Sequence, residues 1–242
     1  MNKIVANYLP IATSRRHKSK RKSVKKHMIE LKELKAIVKE YIAPVLRDYG
    51  FQGSGLSFRR ITVNHYIHAI TIQPHPRGGS YCMDLGVYID ILPGMWDFVK
   101  PETVTSVYCE IQSRLTPDGR DYWLDYGMNI DDALRNSNEI LSVFKINGLS
   151  YFEQYTNFPE PLESLTVKDL NMKKAKYKML FPFITEIRLA LLLARLHLYL
   201  GNIEKSKQFC DFGLKGIQKD VRKGYGSSLV DVFESIRIGQ MK

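Results

Sequence analysis

Two runs of the chain place polar side chains at the two-residue spacing of one strand face. Asp84 and Tyr88 (with Asp90) occur in one run, and Tyr108, Glu110, Gln112 and Arg114 in another, with Trp123 a short distance on. Carboxylates and a guanidinium framed by aromatic rings suit polar recognition, because arginine forks onto planar acceptors and tyrosine adds rigid area. The same groups suggest a second chemistry, an acid/base pocket around Asp84, Glu110 and Arg114. Metal chemistry has less behind it. His65, His68 and His75 are the nearest imidazoles, but side chains three apart on a strand face opposite sides, and no local Cys or carboxylate completes a ligand set, so no metal is expected. Gly53-Ser54-Gly55 and Arg77-Gly78-Gly79-Ser80 lack the Lys-Ser/Thr of a phosphate loop, and no Gly-x-Ser-x-Gly elbow is present. No cofactor is expected, and no residue is assigned as catalytic.

A different chemistry resides in the first 26 residues. Lys3, Arg15, Arg16, Lys18, Lys20, Arg21, Lys22, Lys25 and Lys26 stand there without a single acid. They account for nine of the 36 basic residues, which leaves 27 against 25 acidic ones in the remainder of a chain of net charge +11. The sequence thus reads as a nearly neutral body with a basic tail over 1–27, and such blocks repel themselves and stay disordered. Nucleic acid is a partner only through that tail, since the acids on the candidate face would repel phosphate. Met28 stands where the folded pattern starts and is a plausible alternative start. Cys82, Cys109 and Cys210 are odd in number and unpaired by spacing, which suits a reducing cytoplasm. The most apolar stretch, Leu180–Leu200, holds Glu186, Arg188 and Arg195, so it is not expected to span a membrane.

The elements that would position these residues follow from periodicity. Ile29, Leu34, Ile37, Val38, Tyr41, Ile42, Val45 and Leu46 give an amphipathic helix over 29–49, kinked at Pro44 and stopped at Gly50. Strands are predicted at Leu56–Ile61, Tyr66–Gln73, Tyr81–Leu92 and Ser106–Leu115, joined by short turns and therefore antiparallel. The last run would set Val107, Cys109, Ile111 and Leu115 against Tyr108, Glu110, Gln112 and Arg114. Helices are expected from Asp131 to Phe144, Phe183 to Leu200, Ile203 to Leu214 and 228 to 238, with a connector carrying Pro159 and Pro161 over 150–170. The fold class is α+β: an N-terminal helix packed on an antiparallel sheet, then a C-terminal helical region. The expected organisation is a tail at 1–27, an α+β domain at 28–150 and a helical region with a helix hairpin at 151–242.

From Glu33 to about Tyr126 the order of motifs resembles a known family. Tyr49-Gly50-Phe51, Ser57-Phe58-Arg59-Arg60, Met83-Asp84-Leu85-Gly86-Val87-Tyr88, Cys109-Glu110-Ile111-Gln112-Ser113-Arg114-Leu115 and Tyr122-Trp123 follow one another as in the bacterial domain-of-unknown-function family numbered 4304. The resemblance covers about half the chain and implies a bacterial cytoplasmic α+β protein without assigned catalytic residues. Ala190, Leu193, Ala194, Gly201, Ser206 and Gly213 also resemble one tetratricopeptide hairpin, although such repeats need about three units to be stable. The reading that these features favour is a non-enzymatic module that binds another protein through its sheet face or helix hairpin, an immunity protein being one form. Nucleic-acid binding through Arg15–Lys26 and an unrecognised enzyme at the polar face are the alternatives.

Overall fold

The computed structural model describes residues 29–94, 97–170, 181–220 and 227–241, so the basic tail (Arg15, Arg16, Lys18, Lys20, Arg21, Lys22, Lys25, Lys26) and Met28 lie outside the described residues. The first helix opens on a capping box between Glu30 and Glu33 and buries Leu34, Ile37, Val38, Ile42 and Leu46 along one side. It runs as α1 (Leu31–Ile37), one wider π turn over Val38–Ile42, and α2 (Ala43–Asp48). The Ala43 amide reaches back to the Val38 carbonyl. This extra residue in the turn directly precedes Pro44, where a proline ring would otherwise press on the carbonyl four residues back. The kink expected at Pro44 is therefore a bulge one turn earlier. Gly50, at φ +82°, ends the helix in a conformation that an L side chain rarely adopts.

The sheet has six strands: β1 (Gln52–Ser54), β2 (Ser57–Ile61), β3 (Tyr66–Pro74), β4 (Ser80–Ile89), β5 (Ile111–Arg114) and β6 (Leu124–Asp125). They are antiparallel in the order β1-β2-β3-β4-β5, with β6 also paired to β4. Overlapping the Gly53-Ser54-Gly55 stretch, Gln52–Ser54 turns back on β2 as a short edge strand. Ser106–Leu115 needs a correction. Only Ile111–Arg114 is strand, while Ser106–Tyr108 is a 3-10 turn.

Helices follow the sheet. Asn129 caps α3 (Ile130–Val143) by accepting the Asp132 amide at 2.9 Å. A π turn over Phe144–Gly148 leads into α4 (Leu149–Glu153), and turns carry the chain to Leu170. Then come α5 (Glu186–Tyr199), α6 (Ile203–Asp220) and α7 (Ser227–Arg237). The α5–α6 hairpin turns at Gly201, and the Ser206 hydroxyl donates to the Ala194 carbonyl at 2.8 Å. Gly213 lets α6 approach α7 closely, since a Cβ there would lie 2.2 Å from the Phe233 ring.

One face of the sheet packs on the first helix, α3 and α4. Phe58, Tyr66, Ile70, Ile72, Met83, Leu85, Val87 and Ile111 point into this core and meet Phe51, Phe144, Phe152 and Tyr155. Arg60 and His68 share it. The Arg60 guanidinium lies 4.8 Å over the Phe51 ring and donates to the Tyr49 carbonyl and to His68 Nδ1. A guanidinium can only donate, so the His68 proton is on Nε2, which donates to the Tyr155 carbonyl at 2.8 Å. Burial pushes the His68 imidazole down to about 4. Buried apolar residues from Ile29 to Ile236 form one cluster, which crosses the boundary expected near residue 150.

Candidate functional site on the strap-covered face

The opposite face of the sheet carries the residues singled out for chemistry, and its register sorts them into rows. Gln73 stands beside Cys82; Ser57, Thr71, Asp84 and Arg114 make the next row. Arg59, Ala69, Gly86 and Gln112 make the third, and Ile61, Ile67 and Tyr88 the fourth. Polarity thus falls from one end of the face to the other. Directly opposed residues share a face and interact, so each row is a physical unit.

The apolar end is covered. The segment after β4, residues 97–110, crosses the sheet as a strap from β2 to β5. Its carbonyls at Glu102 and Val104 accept from Arg59 on β2, the latter at 2.8 Å. The Ser106 amide donates to Thr71 Oγ1 on β3 at 3.3 Å. Cys109 lies against Gly86 on β4, where a Cβ would sit 2.7 Å from Sγ. The Cys109 carbonyl accepts from Gln112 Nε2 on β5 at 2.6 Å. Ile67, Ala69, Tyr88, Val104 and Cys109 close into a second core, with Val99 packed on it. Tyr88 is 2 % exposed; its hydroxyl donates to the Leu92 carbonyl and accepts the Val99 amide at 3.0 Å. Burial raises its phenol above the usual range. Half of the candidate polar face is therefore the floor of a small core.

Two more arginines act from outside the sheet, one on the strap and one on the turn that precedes it. Glu110 accepts both Nε and Nη2 of Arg188 on α5, at 3.1 and 2.8 Å. Arg195, 1 % exposed in the most apolar helix of the chain, donates to the carbonyls of Pro93 and Gly94 at 3.3 and 2.6 Å. Burial draws its guanidinium down to about 10, against the pull of Glu110 and Tyr88. Sequence reasoning used Arg188 and Arg195 only against a membrane span. A cation inside an apolar helix was nevertheless a signal, because it needs a buried partner.

The polar end stays open. Arg114 donates through Nε to Asp84 at 3.0 Å and through Nη1 to Asp121 at 2.7 Å. Its guanidinium lies 4.8 Å from the centroid of the Trp123 ring and 6.0 Å from that of Phe183. Burial alone would lower the pKa of this guanidinium, but the two carboxylates outweigh it and hold it above the ordinary range. Asp121 is held below the usual carboxylate range by Arg114 and then by the Trp123 indole, which donates to it at 2.9 Å. Burial, then Asp84, pushes the Cys82 thiol up to about 12, so it is a packed side chain rather than a nucleophile.

Of the seven predicted residues, Asp84, Arg114 and Trp123 come together. Gln112 ties down the strap, Tyr88 lies beneath it, Glu110 turns to α5, and Tyr108 is exposed on top. Asp90 leaves the group for His65, at 3.0 Å. Asp121 and Phe183 were missed; Asp121, next to Tyr122-Trp123, was the more legible of the two. A separate open groove of about 540 Å³ lies between the Gly78–Ser80 turn, Asp125–Met128 and the start of α3, and it takes none of the seven.

Among the described residues, no cluster of three or more His, Cys, Asp or Glu side chains could hold a metal ion, and no helix is long and apolar enough to cross a membrane. No curated protein and no solved structure matches the chain. Residues 42–153, which supply the strands and the strap, match the family described as Domain of unknown function (DUF4304).

Proposed function

We propose that the chain is a non-enzymatic bacterial protein of the cytoplasm that recognises another protein through the outer side of the strap and the neighbouring β5, an immunity-type role being one form. The observation that carries this is the strap's outward side. Val107 is 71 % exposed, Tyr108 51 % and Phe98 55 %, on a segment whose inner side is fixed by Arg59, Arg188 and a core of its own. Large apolar side chains held rigidly in water favour association, because little further entropy is lost when a partner covers them. The groups an enzyme would use at this face are engaged with one another, Asp84 with Arg114 and Glu110 with Arg188.

The test is capture from native bacterial lysate with the full chain and with a Val107→Ser, Tyr108→Ser double variant. The expected result is one stoichiometric protein partner, kept by the parent and lost by the variant at unchanged unfolding midpoint. A partner retained equally by both would remove the strap from the interface. The charge of Arg15–Lys26 favours a second reading, nucleic-acid binding. It requires affinity for a random-sequence DNA duplex that falls steeply with salt and vanishes when residues 1–26 are removed.

A further inference from the structure

We infer that β5 is a docking edge at which an extended peptide segment of the protein partner adds as a further strand. The inference rests on the protein-recognition reading above and specifies its mode. Among the described residues, β5 is the last strand of the sheet and pairs with β4 alone. The Leu115 amide donates to the Met83 carbonyl at 2.8 Å, which fixes the phase of the ladder. Ile111 and Ser113 then share the inward phase with Leu115, and the N–H and C=O groups of Gln112 and Arg114 point away from the sheet. Among the described residues, neither of these two amides donates to another group, and the Arg114 carbonyl receives only the Ser113 hydroxyl of its own strand, at 3.5 Å. Two outward residues offer two donors and two acceptors at strand spacing.

The side chains along this edge indicate what kind of strand fits. Next to Gln112 stand Val107 and Tyr108, and the Gln112 side chain reaches the Val107 carbonyl at 3.5 Å. Beyond Arg114 stand Trp123 and Phe183, the latter 53 % exposed. An added strand would place alternate side chains toward these two apolar ends, since its residues alternate between faces. Between the ends, Asp84 and Asp121 share the single charge of Arg114, so among the described residues this cluster carries one excess negative charge. The occupant is therefore an extended segment with apolar residues at alternate positions and a Lys or Arg among them. Main-chain bonds would supply affinity and the alternate side chains specificity.

The probe is an array of synthetic dodecapeptides alternating Leu or Phe with polar residues and carrying one Lys, with acidic counterparts as controls. Each binding peptide is remade with single backbone N-methyl groups along its length. Strand addition predicts a loss of about tenfold at every second position and little between, because only alternate residues bond the edge. Gln112→Pro, which removes an outward N–H while leaving the inward ladder intact, should abolish binding. Gln112→Ala loses the same side-chain bond to the strap but keeps the amide, and should bind. Equal sensitivity at every position, equal binding by Gln112→Pro, or no binding at millimolar peptide would each overturn strand addition. Continued capture of a whole-protein partner through Val107 and Tyr108 would then show that recognition stands and only its mode is wrong.

Discussion

The two faces of one sheet are closed by opposite means. On the helix side, long side chains from β2 to β5 fill the space to three helices, and Phe51, Phe144 and Phe152 interlock with ring centroids 5.5 and 5.9 Å apart. On the strap side, the backbone itself comes down on the strands, so the floor must be small: Ala69 and Gly86 lie where Ser106 and Cys109 pass. Area does most of the work on the first face, and hydrogen bonds to strap carbonyls do more of it on the second. A backbone lid needs its exposed carbonyls satisfied, and arginine suits that task because it presents several donors in a fixed plane.

The contrast can be broken most severely on the helix side. Phe152→Ala should cost about 4 kcal/mol in chemical denaturation, since the ring is fully buried against Phe51 and His68. The His68 linkage comes next. Its folded pKa of about 4 lies below the value near 6.5 of an unfolded histidine, so the unfolded chain binds a proton first as pH falls. Stability is complete above pH 6.5 and declines toward pH 4, by on the order of 3 kcal/mol if the whole shift is expressed. A His68→Gln variant should show a shallower loss across that window, and an unchanged slope would refute the assignment.

Smaller effects belong to the strap. Gly86→Ala should destabilise by about 2 kcal/mol, because the new Cβ meets Cys109 Sγ and the Ser106 backbone. Ala69→Gly, on the same row, has no such clash and should act only through strand flexibility. Arg188→Met should cost only about 1 kcal/mol globally, but it should speed amide exchange across residues 97–110 more than in β3. If exchange rose uniformly, the strap would be part of the main cooperative unit and the contrast between the faces would lose its meaning.

The helix side was legible because its rules are local. Spacing in 29–49, alternation in Met83–Ile89 and turn residues at 74–80 each specify an element before any tertiary contact is made. Ser106–Leu115 misled because its alternation continues past the true start of β5. Val107, placed on the apolar face by that pattern, is in fact in solvent, and Cys109 is on the inner side of the strap. A lone glycine in a strand pattern marks a close backbone approach, so Gly86 carried the hint of a lid without saying which segment supplies it. Arg114 with Asp84 was legible because both lie on neighbouring strands in matching phase. The partnership of Glu110 with Arg188 spans 78 positions, and no periodicity reports a contact of that range.

Arg188 and Arg195 lie on α5, beyond the 42–153 stretch that matches the family. The lid of this domain is thus fastened in part by Arg188, and the turn before it by Arg195, from outside the domain. A relative inheriting residues 42–153 with a different C-terminal neighbour would bring along the strands, the strap and Glu110, but not the cations opposite them. Such a relative must recruit positive charge from its own new neighbour, or let Glu110 face water with the strap re-seated. Gene fusion and domain shuffling would therefore act on the shape of this surface as directly as point substitution within it.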